Sequence, residues 1–313
     1  MRRVALLDNP SSGQTSSRRN AMVNSTLEAL LREGIEVEHL TIDGPGSGSE
    51  LAREAVDRGC DVVLVCGGDG TVHEVLQCLV GTGVALGVVP MGTANALASD
   101  LGLSRNPAKA INSLLRADAV DVPVGRISFR NGNGAESSRY FTVAAGVGAD
   151  ALLMARMDPG LKRRFGYLLY LIEAFRIWAS HPFPLFQASF ANGHGKLRQV
   201  EASQLLAVRI RSFGGALGRL VPGASLHANK LCLVAFKTRS RFRYMRFLLA
   251  VLAKRQTYSQ DVELIAADTV ECRPANGANV YVEADGEVLG HLPVRIEIAA
   301  ETLTLLIPPN AEP

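Results

Sequence analysis

The sequence predicts two domains: an N-terminal α/β domain built on a doubly wound parallel sheet, and a C-terminal β-rich sandwich. Three observations predict them. Over the first 120 residues, apolar runs of strand length alternate with helical patterns. Three of the strands end in loops of Gly, Ser, Thr, Asn or Asp, at 9–13, 67–71 and 92–95, and sheets of this kind bind ligands at the carboxyl ends of their strands. After Asp121 the pattern changes to short alternating segments split by Gly and Asn turns, as in antiparallel β-structure. At 313 residues the chain exceeds one average domain.

Val4 to Asp8 reads as the first strand, with the turn Asn9-Pro10-Ser11-Ser12-Gly13 and a helix from Ser17 to Glu33 behind it. Ile35 to Ile42 is the second strand, and a turn over Gly44–Ser49 leads to a helix near Glu50–Arg58. Asp61 to Cys66 is a third, continuously apolar strand, broken by Gly67-Gly68-Asp69-Gly70-Thr71 before a helix over Val72–Leu79. Val84 to Val89 is the fourth and ends in Pro90-Met91-Gly92-Thr93-Ala94-Asn95, followed by helices from Ala96 and over Pro107–Arg116. Beyond Val120–Pro123, strands are expected at Gly125–Phe129, Arg139–Ala145, Phe186–Ala191, Gln204–Ile210, Lys230–Phe236, Asp261–Ala266, Thr269–Cys272, Asn279–Glu283 and Leu303–Ile307.

The central stretch is DVVLVCGGDGTVHE, Asp61 to Glu74. A strand that gives way to a glycine turn at a helix start leaves free N–H groups at the positive end of the helix dipole, and that spot attracts an anion. Asp69 within the turn would repel bound phosphate unless a cation lay between them, which suggests Mg²⁺ with a nucleotide. Taken alone, G-x-D-G reads first as an Asx turn, which the buried strand before it and the helix start behind it reverse; Ser11 and Ser12, taken alone, read equally as an ordinary helix cap. G-x-x-x-x-G-K-[ST] is absent, which excludes a P-loop enzyme.

Composition narrows the class. The chain is 47% hydrophobic and 20% charged, enough for a sizeable core, and its net charge of +3 is too small to call for nucleic acid. Five scattered cysteines, Cys60, Cys66, Cys78, Cys232 and Cys272, without C-x-x-C pairing, suit a reducing cytoplasm. The apolar run after Arg2-Arg3 stops too soon for a signal peptide, and no segment reaches the ~18 apolar residues of a membrane span. The expected location is cytoplasmic, with peripheral association to a membrane.

Asn9-Pro10 with Ser12-Gly13, Gly67-Gly68-Asp69-Gly70-Thr71 and Gly92-Thr93-x-Asn95, in this order and spacing, resemble the diacylglycerol kinase catalytic domain. That family includes bacterial lipid kinases and the sphingosine and ceramide kinases; NAD kinases and phosphofructokinases share the glycine-aspartate motif. The resemblance implies a nucleotide domain of that type at 1–124, completed by 299–313, and a lipid-substrate sandwich at 125–298, with the active site in the cleft between them. It implies that ATP is held by Asn9, Pro10, Ser11, Ser12, Gly13, Gly67, Gly68, Asp69, Gly70, Thr71, Thr93 and Asn95, with Thr41 and Glu74 beside them. Mg²⁺ would be met by Asp69 and by Asp121 at the domain crossover.

Val282-Glu283-Ala284-Asp285-Gly286-Glu287 sets carboxylates around a D-G pair. Alone it reads as a hairpin turn; by resemblance, Asp285 or Glu287 is the catalytic base that takes the hydroxyl proton. Gly146-Val147-Gly148-Ala149-Asp150-Ala151 fits G-x-G-x-x-A, yet it lies among β segments without the expected acidic partner and reads as close backbone packing. Several bacterial relatives carry a structural Mg²⁺ at an Asp-Asp-Gly-Lys-Leu turn; this chain has His227-Ala228-Asn229-Lys230-Leu231, a poor donor set.

Two basic, aromatic-rich stretches suit a lipid substrate at a membrane surface: Lys162-Arg163-Arg164 before Phe165–Ala179, and Arg241–Arg246 leading through Phe247–Ala253 to Lys254-Arg255. Helices packed on the sandwich, with their arginines solvated or at a homodimer contact, are the other reading. The expectation is an ATP- and Mg²⁺-dependent lipid kinase acting on diacylglycerol or a related alcohol; the alternatives are an NAD kinase-like enzyme and a non-catalytic nucleotide-binding regulator.

Overall fold

Buried strands alternating with amphipathic helices govern the first 124 residues. The computed structural model describes residues 1–12, 16–157, 167–191, 197–213, 221–252, 261–275, 277–309 and 311. The chain divides into a unit of Met1–Val124, Ser212–Gly214 and Ala300–Pro313, and a unit of Gly125–Arg211 and Gly215–Ala299.

The first unit runs β1 (Arg3–Asp8), α1 (Ser16–Arg32), β2 (Glu36–Thr41), α2 (Ser47–Asp57), β3 (Val62–Gly67), α3 (Asp69–Leu79), β4 (Ala85–Pro90), α4 (Ala96–Asp100) and α5 (Pro107–Leu114). Its strands are parallel in the order β2-β1-β3-β4, and the end of β16 (Val294–Ile307) joins β4 through Leu305 and Leu86. β3 and β4 are buried at every residue, as strands covered on both faces must be. Each fully buried Val or Leu contributes roughly 1.5–3 kcal/mol to this core. The sheet's role is to put the carboxyl ends of β1, β3 and β4 side by side.

The second unit is a β-sandwich. β5 (Asp118–Arg130) and β16 each pass from one unit into the other. Between them come β6 (Glu136–Phe141), β7 (Ala144–Val147), α6 (Ala149–Arg156), α7 (Tyr167–Ser180), β8 (Phe186–Ala191), β9 (Leu197–Ala202), β10 (Gln204–Val208), β11 (Leu231–Phe236), α8 (Arg241–Leu252), β12 (Val262–Ala267), β13 (Thr269–Pro274), β14 (Tyr281–Ala284) and β15 (Glu287–His291). One antiparallel sheet has the order β12-β11-β10-β7-β14-β15; facing it, β13 joins β16 to β8 and β9, and β5 joins β16 to β6. Phe186 and Phe190 of β8 pack with Leu205, Leu233, Val282 and Ile296 in the core between the layers.

The structure corrects the expected elements in four places. α3 begins at Asp69 rather than Val72, so Asp69, Gly70 and Thr71 form its first turn behind the extended N-cap Gly68. The expected strand Arg139–Ala145 is two strands in different sheets, because the Asp285 carboxylate takes the amides of Thr142, Val143 and Ala144, and Thr142 and Val143 belong to neither ladder. β9 and β15 were not expected, their sequences being half polar. β5 and β16 are single strands of 13 and 14 residues where only Gly125–Phe129 and Leu303–Ile307 were expected, β5 running on through Pro123 at the domain crossover.

Candidate active site

The three loops at the carboxyl ends of β1, β3 and β4 are tied to one another. Asn9 donates from Nδ2 to Thr71 Oγ1 at 2.7 Å, while its Oδ1 accepts the amide of Ser11 and its carbonyl the Ser12 hydroxyl. Pro10 and Ser11 are exposed beside it; Gly13 lies outside the described residues. Met91 N donates to the Gly67 carbonyl at 2.9 Å. A Cβ on Gly92 would stand 2.6 Å from Gly68 Cα, so the two backbones pass too closely for any other residue.

Asp69 completes the tie. Its Oδ2 accepts the amide of Asn95 at 2.8 Å and its Oδ1 that of Ala96 at 2.6 Å, so one carboxylate closes the start of α4 from the neighbouring loop. Asn95, at φ 53, turns back to bond both the amide and the carbonyl of Gly92. Thr93 stays exposed at the tip of that loop. Thr41, in register with Asp8, is exposed on the same rim at the end of β2.

Two expected nucleotide or metal residues have other partners. Glu74 Oε1 accepts the amides of Gly48 and Ser49, and Ser49 donates its hydroxyl to the Glu74 carbonyl, so Glu74 joins the start of α2 to α3. Asp121 accepts the Thr304 hydroxyl at 2.6 Å and couples β5 to β16. Among the described residues no three His, Cys, Asp or Glu side chains gather to hold a metal. Both oxygens of Asp69 bond backbone amides, so the residues present suit a cation held chiefly by phosphate oxygens and water rather than by protein carboxylates.

Sequence reasoning passed over Asp8 and Arg19. Arg19 donates to the Pro10 carbonyl at 2.6 Å and lies 3.8 Å from Asp8, which is 6% exposed. Burial raises the Asp8 carboxyl above its usual range, against the pull of Arg19 and His39. The cationic side chain thus backs the 9–12 loop, but nothing in S-R-R-N sets Arg19 apart from a solvated helix arginine.

In the second unit, Asp285 and Glu287 have separate surroundings. Asp285 (φ 49) and Gly286 (φ 87) make the two-residue turn between β14 and β15, the D-G geometry that favours positive φ at both positions. Asp285 Oδ2 accepts the amide of Thr142, and Oδ1 those of Val143 and Ala144, at 2.8 to 3.0 Å. Glu287 opens β15 with an exposed side chain. The Gly146–Ala151 stretch packs as expected: a Cβ on Gly148 would meet the Ser203 carbonyl at 2.7 Å.

The turn that resembles a structural Mg²⁺ site is filled by a side chain. Arg209, 1% exposed, donates to the carbonyls of Leu226 at 2.8 Å, Ala228 at 2.6 Å and Lys230 at 3.4 Å. Burial lowers its pKa to about 10, which leaves it a cation at neutral pH. A guanidinium already takes the carbonyls that a divalent ion would need, and the turn offers no carboxylate, so the residues present do not fit a metal.

Comparison with known proteins agrees with this architecture. Residues 3–127 match the model of the diacylglycerol kinase catalytic domain, and residues 141–307 that of the YegS C-terminal NAD kinase beta sandwich-like domain. A diacylglycerol kinase of Mycobacterium tuberculosis (strain ATCC 25618 / H37Rv) is 30% identical over 315 residues, 98% of this chain and 95% of the relative. A diacylglycerol kinase of Bacillus subtilis (strain 168) is 27% identical, covering 94% of this chain and 92% of its own length. A crystal structure of a diacylglycerol kinase from Bacillus anthracis str. Sterne superposes with a TM-score of 0.71 at 18% identity, covering 99% of this chain and 98% of that one, and speaks for the fold alone. Both domain models and a relative 30% identical along 98% of the chain make this protein a member of the diacylglycerol kinase family of lipid kinases.

Proposed function

We propose that the protein transfers the γ-phosphate of ATP to a hydroxyl of diacylglycerol or a closely related lipid alcohol. The observation that carries this reading is the mutual bonding of the 9–12, 67–71 and 92–96 loops, which sets the starts of α3 and α4 on one rim. First-turn amides of a helix have no intrahelical acceptor; those at the start of α4 are taken by Asp69, and those of α3 are suited to phosphate oxygens. Asn9 and Thr71 hold the loops together, Ser11 and Thr93 are free to reach the nucleotide, and Thr41 adds a hydroxyl at the end of β2. A divalent ion bound with the nucleotide would screen the β- and γ-phosphates, and Asp69 would hold water of its shell.

Glu287 is the general base in this reading. Asp285 is engaged by backbone amides on both oxygens, whereas the exposed carboxylate two residues on can meet a lipid hydroxyl. Glu287 takes the hydroxyl proton as the alkoxide oxygen forms its bond to γ-phosphorus and the bond to the β-phosphate oxygen breaks, leaving ADP and a phosphorylated lipid. The relatives' name selects diacylglycerol among the possible alcohols.

A surface on α7 and α8 supports access from a membrane. Phe175 (62% exposed), Ile172, Phe242 (79%) and Leu249 are exposed large apolar side chains. Trp178 bridges them: its ring centroid is 5.5 Å from that of Phe175 and 6.5 Å from that of Phe242, and its indole N–H donates to the Arg241 carbonyl. Arg241 and Arg246 are exposed on α8, each contributing about 1 kcal/mol at an anionic surface. Lys162–Arg164, Lys254 and Arg255 lie outside the described residues. No helix among the described residues is long and apolar enough to cross a membrane.

The test is incubation with labelled ATP, Mg²⁺ and a total lipid extract. Label is expected in the phosphorylated form of diacylglycerol, and Glu287→Gln is expected to lower turnover by about 10²–10⁴-fold, the usual worth of a positioned base. Label that appears in no lipid, or turnover that survives Glu287→Gln, defeats the reading.

A further inference from the structure

Two carboxyl groups meet inside the sandwich and have no part in the scheme above. Asp150 lies in the first turn of α6, and Glu283 lies on β14, opposite Gly146 of β7. A Cβ on Gly146 would stand 1.8 Å from Asp150 Oδ2 and 2.6 Å from Glu283 Oε1, so both oxygens crowd the space above one glycine. Both oxygens of Asp150 are buried and complete no hydrogen bond to a donor, although the amides of Asp150 and Ala151 lie nearby. Glu283 is 6% exposed, and its Oε2 accepts the amide of Gly286 at 2.7 Å, within the turn that delivers Glu287.

Two buried carboxylates this close cannot both stay ionised, and a proton between them gives Asp150 the partner it lacks. We propose that Asp150 and Glu283 share one proton, and that this buried bond fixes the Asp285–Gly286 turn and so the direction of Glu287. Asp150 and Glu283 are then positioning residues, and this role rests on the reading of Glu287 as base. Burial pushes Asp150 up to about 7; burial first, then Asp150, raises Glu283 well above the usual carboxylate range. The other groups that face the pair are Asp285 and Glu287 on the hairpin, which also raise Glu283, and the Tyr244 hydroxyl of α8, itself raised by burial and by Asp150.

The sign follows from linkage. Folded-state pKa values above the unfolded ones mean that the native chain holds the extra proton, so stability falls as pH rises from the ordinary carboxylate range through about 7 and is level beyond. Once that proton leaves, the two charges repel, Glu283 withdraws from Gly286, and Glu287 loses its fixed direction.

Glu283→Gln keeps an acceptor for Gly286 and supplies a permanent donor to Asp150. The midpoint of thermal unfolding, followed from pH 5 to 9, is expected to fall less steeply in Glu283→Gln than in the parent chain. Side-chain carboxyl NMR of the full chain should show Asp150 and Glu283 titrating together in the parent. In the lipid phosphorylation assay, the parent is expected to lose kcat on the alkaline side of pH 7, and Glu283→Gln to keep it. Glu283→Ala, which restores neither bond, should lose on the order of 100-fold at every pH, the scale for a misplaced reacting group. Ordinary carboxylate titration of both residues overturns the shared proton, whatever the activity. Identical alkaline limbs in the parent and Glu283→Gln overturn the positioning role. If the parent phosphorylates no lipid, the base reading fails and the positioning role with it, while the NMR and unfolding results still decide the shared proton.

Discussion

Asp285 and Glu287 are two residues apart in one D-G-E turn, and their sequence offers no ground for choosing between them. Their surroundings do: the carboxylate of Asp285 collects three backbone amides and holds the 142–144 segment, while Glu287 is exposed. Hydrogen bonds to a charged group are each worth about 1.5–3 kcal/mol. Asp285→Asn, which puts a donor where an acceptor is needed, is expected to lower the unfolding midpoint by several degrees; Glu287→Gln is expected to leave it unchanged and to lower turnover by about 10²–10⁴-fold. Calorimetry beside the kinetic assay separates the two roles, and equal midpoints in both variants would reverse the assignment. Arg209 makes a second case at this scale. Its fork holds the carbonyls of Leu226, Ala228 and Lys230, and an ammonium cannot reach three acceptors arranged for a planar guanidinium. Arg209→Lys is therefore expected to lower the midpoint, whereas EDTA in the absence of nucleotide is expected to leave that of the parent unchanged. A fall with EDTA would show that the chain does hold a structural divalent ion.

Strands and helices were legible where a single physical signal dominated. β3 and β4 are apolar at nearly every position because helices cover both faces, and β8 alternates because only one of its faces meets the sandwich core. β9 and β15 gave no such signal, since Leu-Arg-Gln-Val-Glu-Ala and Glu-Val-Leu-Gly-His take their place from neighbouring strands rather than from their own pattern. The loops proposed to hold nucleotide were legible as motifs because glycine, asparagine and aspartate are rarely placed together without need. The bonds among them were not, because they join residues more than twenty positions apart. Gly92 shows what that tie demands. A methyl there would lie 2.6 Å from Gly68 Cα and 2.8 Å from Asn95 Oδ1, and backbone cannot give way as a flexible side chain can. Gly92→Ala is expected to part the two loops and raise the KM for ATP by roughly tenfold or more, with the KM for lipid little changed. An unaltered KM for ATP would mean that the loops need not touch for nucleotide to bind.

For the whole molecule, the proposed function raises the question of how a chain with a net charge of only +3 would reach a lipid substrate held in a bilayer. Overall charge is too weak to direct it, so attraction to a membrane would have to be local, and the α7–α8 surface combines exposed aromatics with arginines in one place. Single exposed apolar residues are ordinary; a ladder of Phe175, Trp178 and Phe242 with arginines beside it matches the amphipathic chemistry of the headgroup layer. Burying one phenylalanine in an apolar layer contributes about 1.5–3 kcal/mol. Phe175→Glu with Phe242→Glu replaces two such contributions by repulsion from anionic lipid, at exposed positions where substitutions typically change stability by less than about 0.5 kcal/mol. The double variant is expected to bind vesicles containing phosphatidylserine at least about tenfold more weakly in sedimentation, and to lose activity on diacylglycerol presented in those vesicles. A short-chain diacylglycerol dissolved as monomer should be phosphorylated at the parent rate, since it needs no docking. Equal vesicle binding by the parent and the double variant would remove this surface from the membrane contact, and equal loss on the soluble substrate would place the two residues in lipid binding rather than in docking.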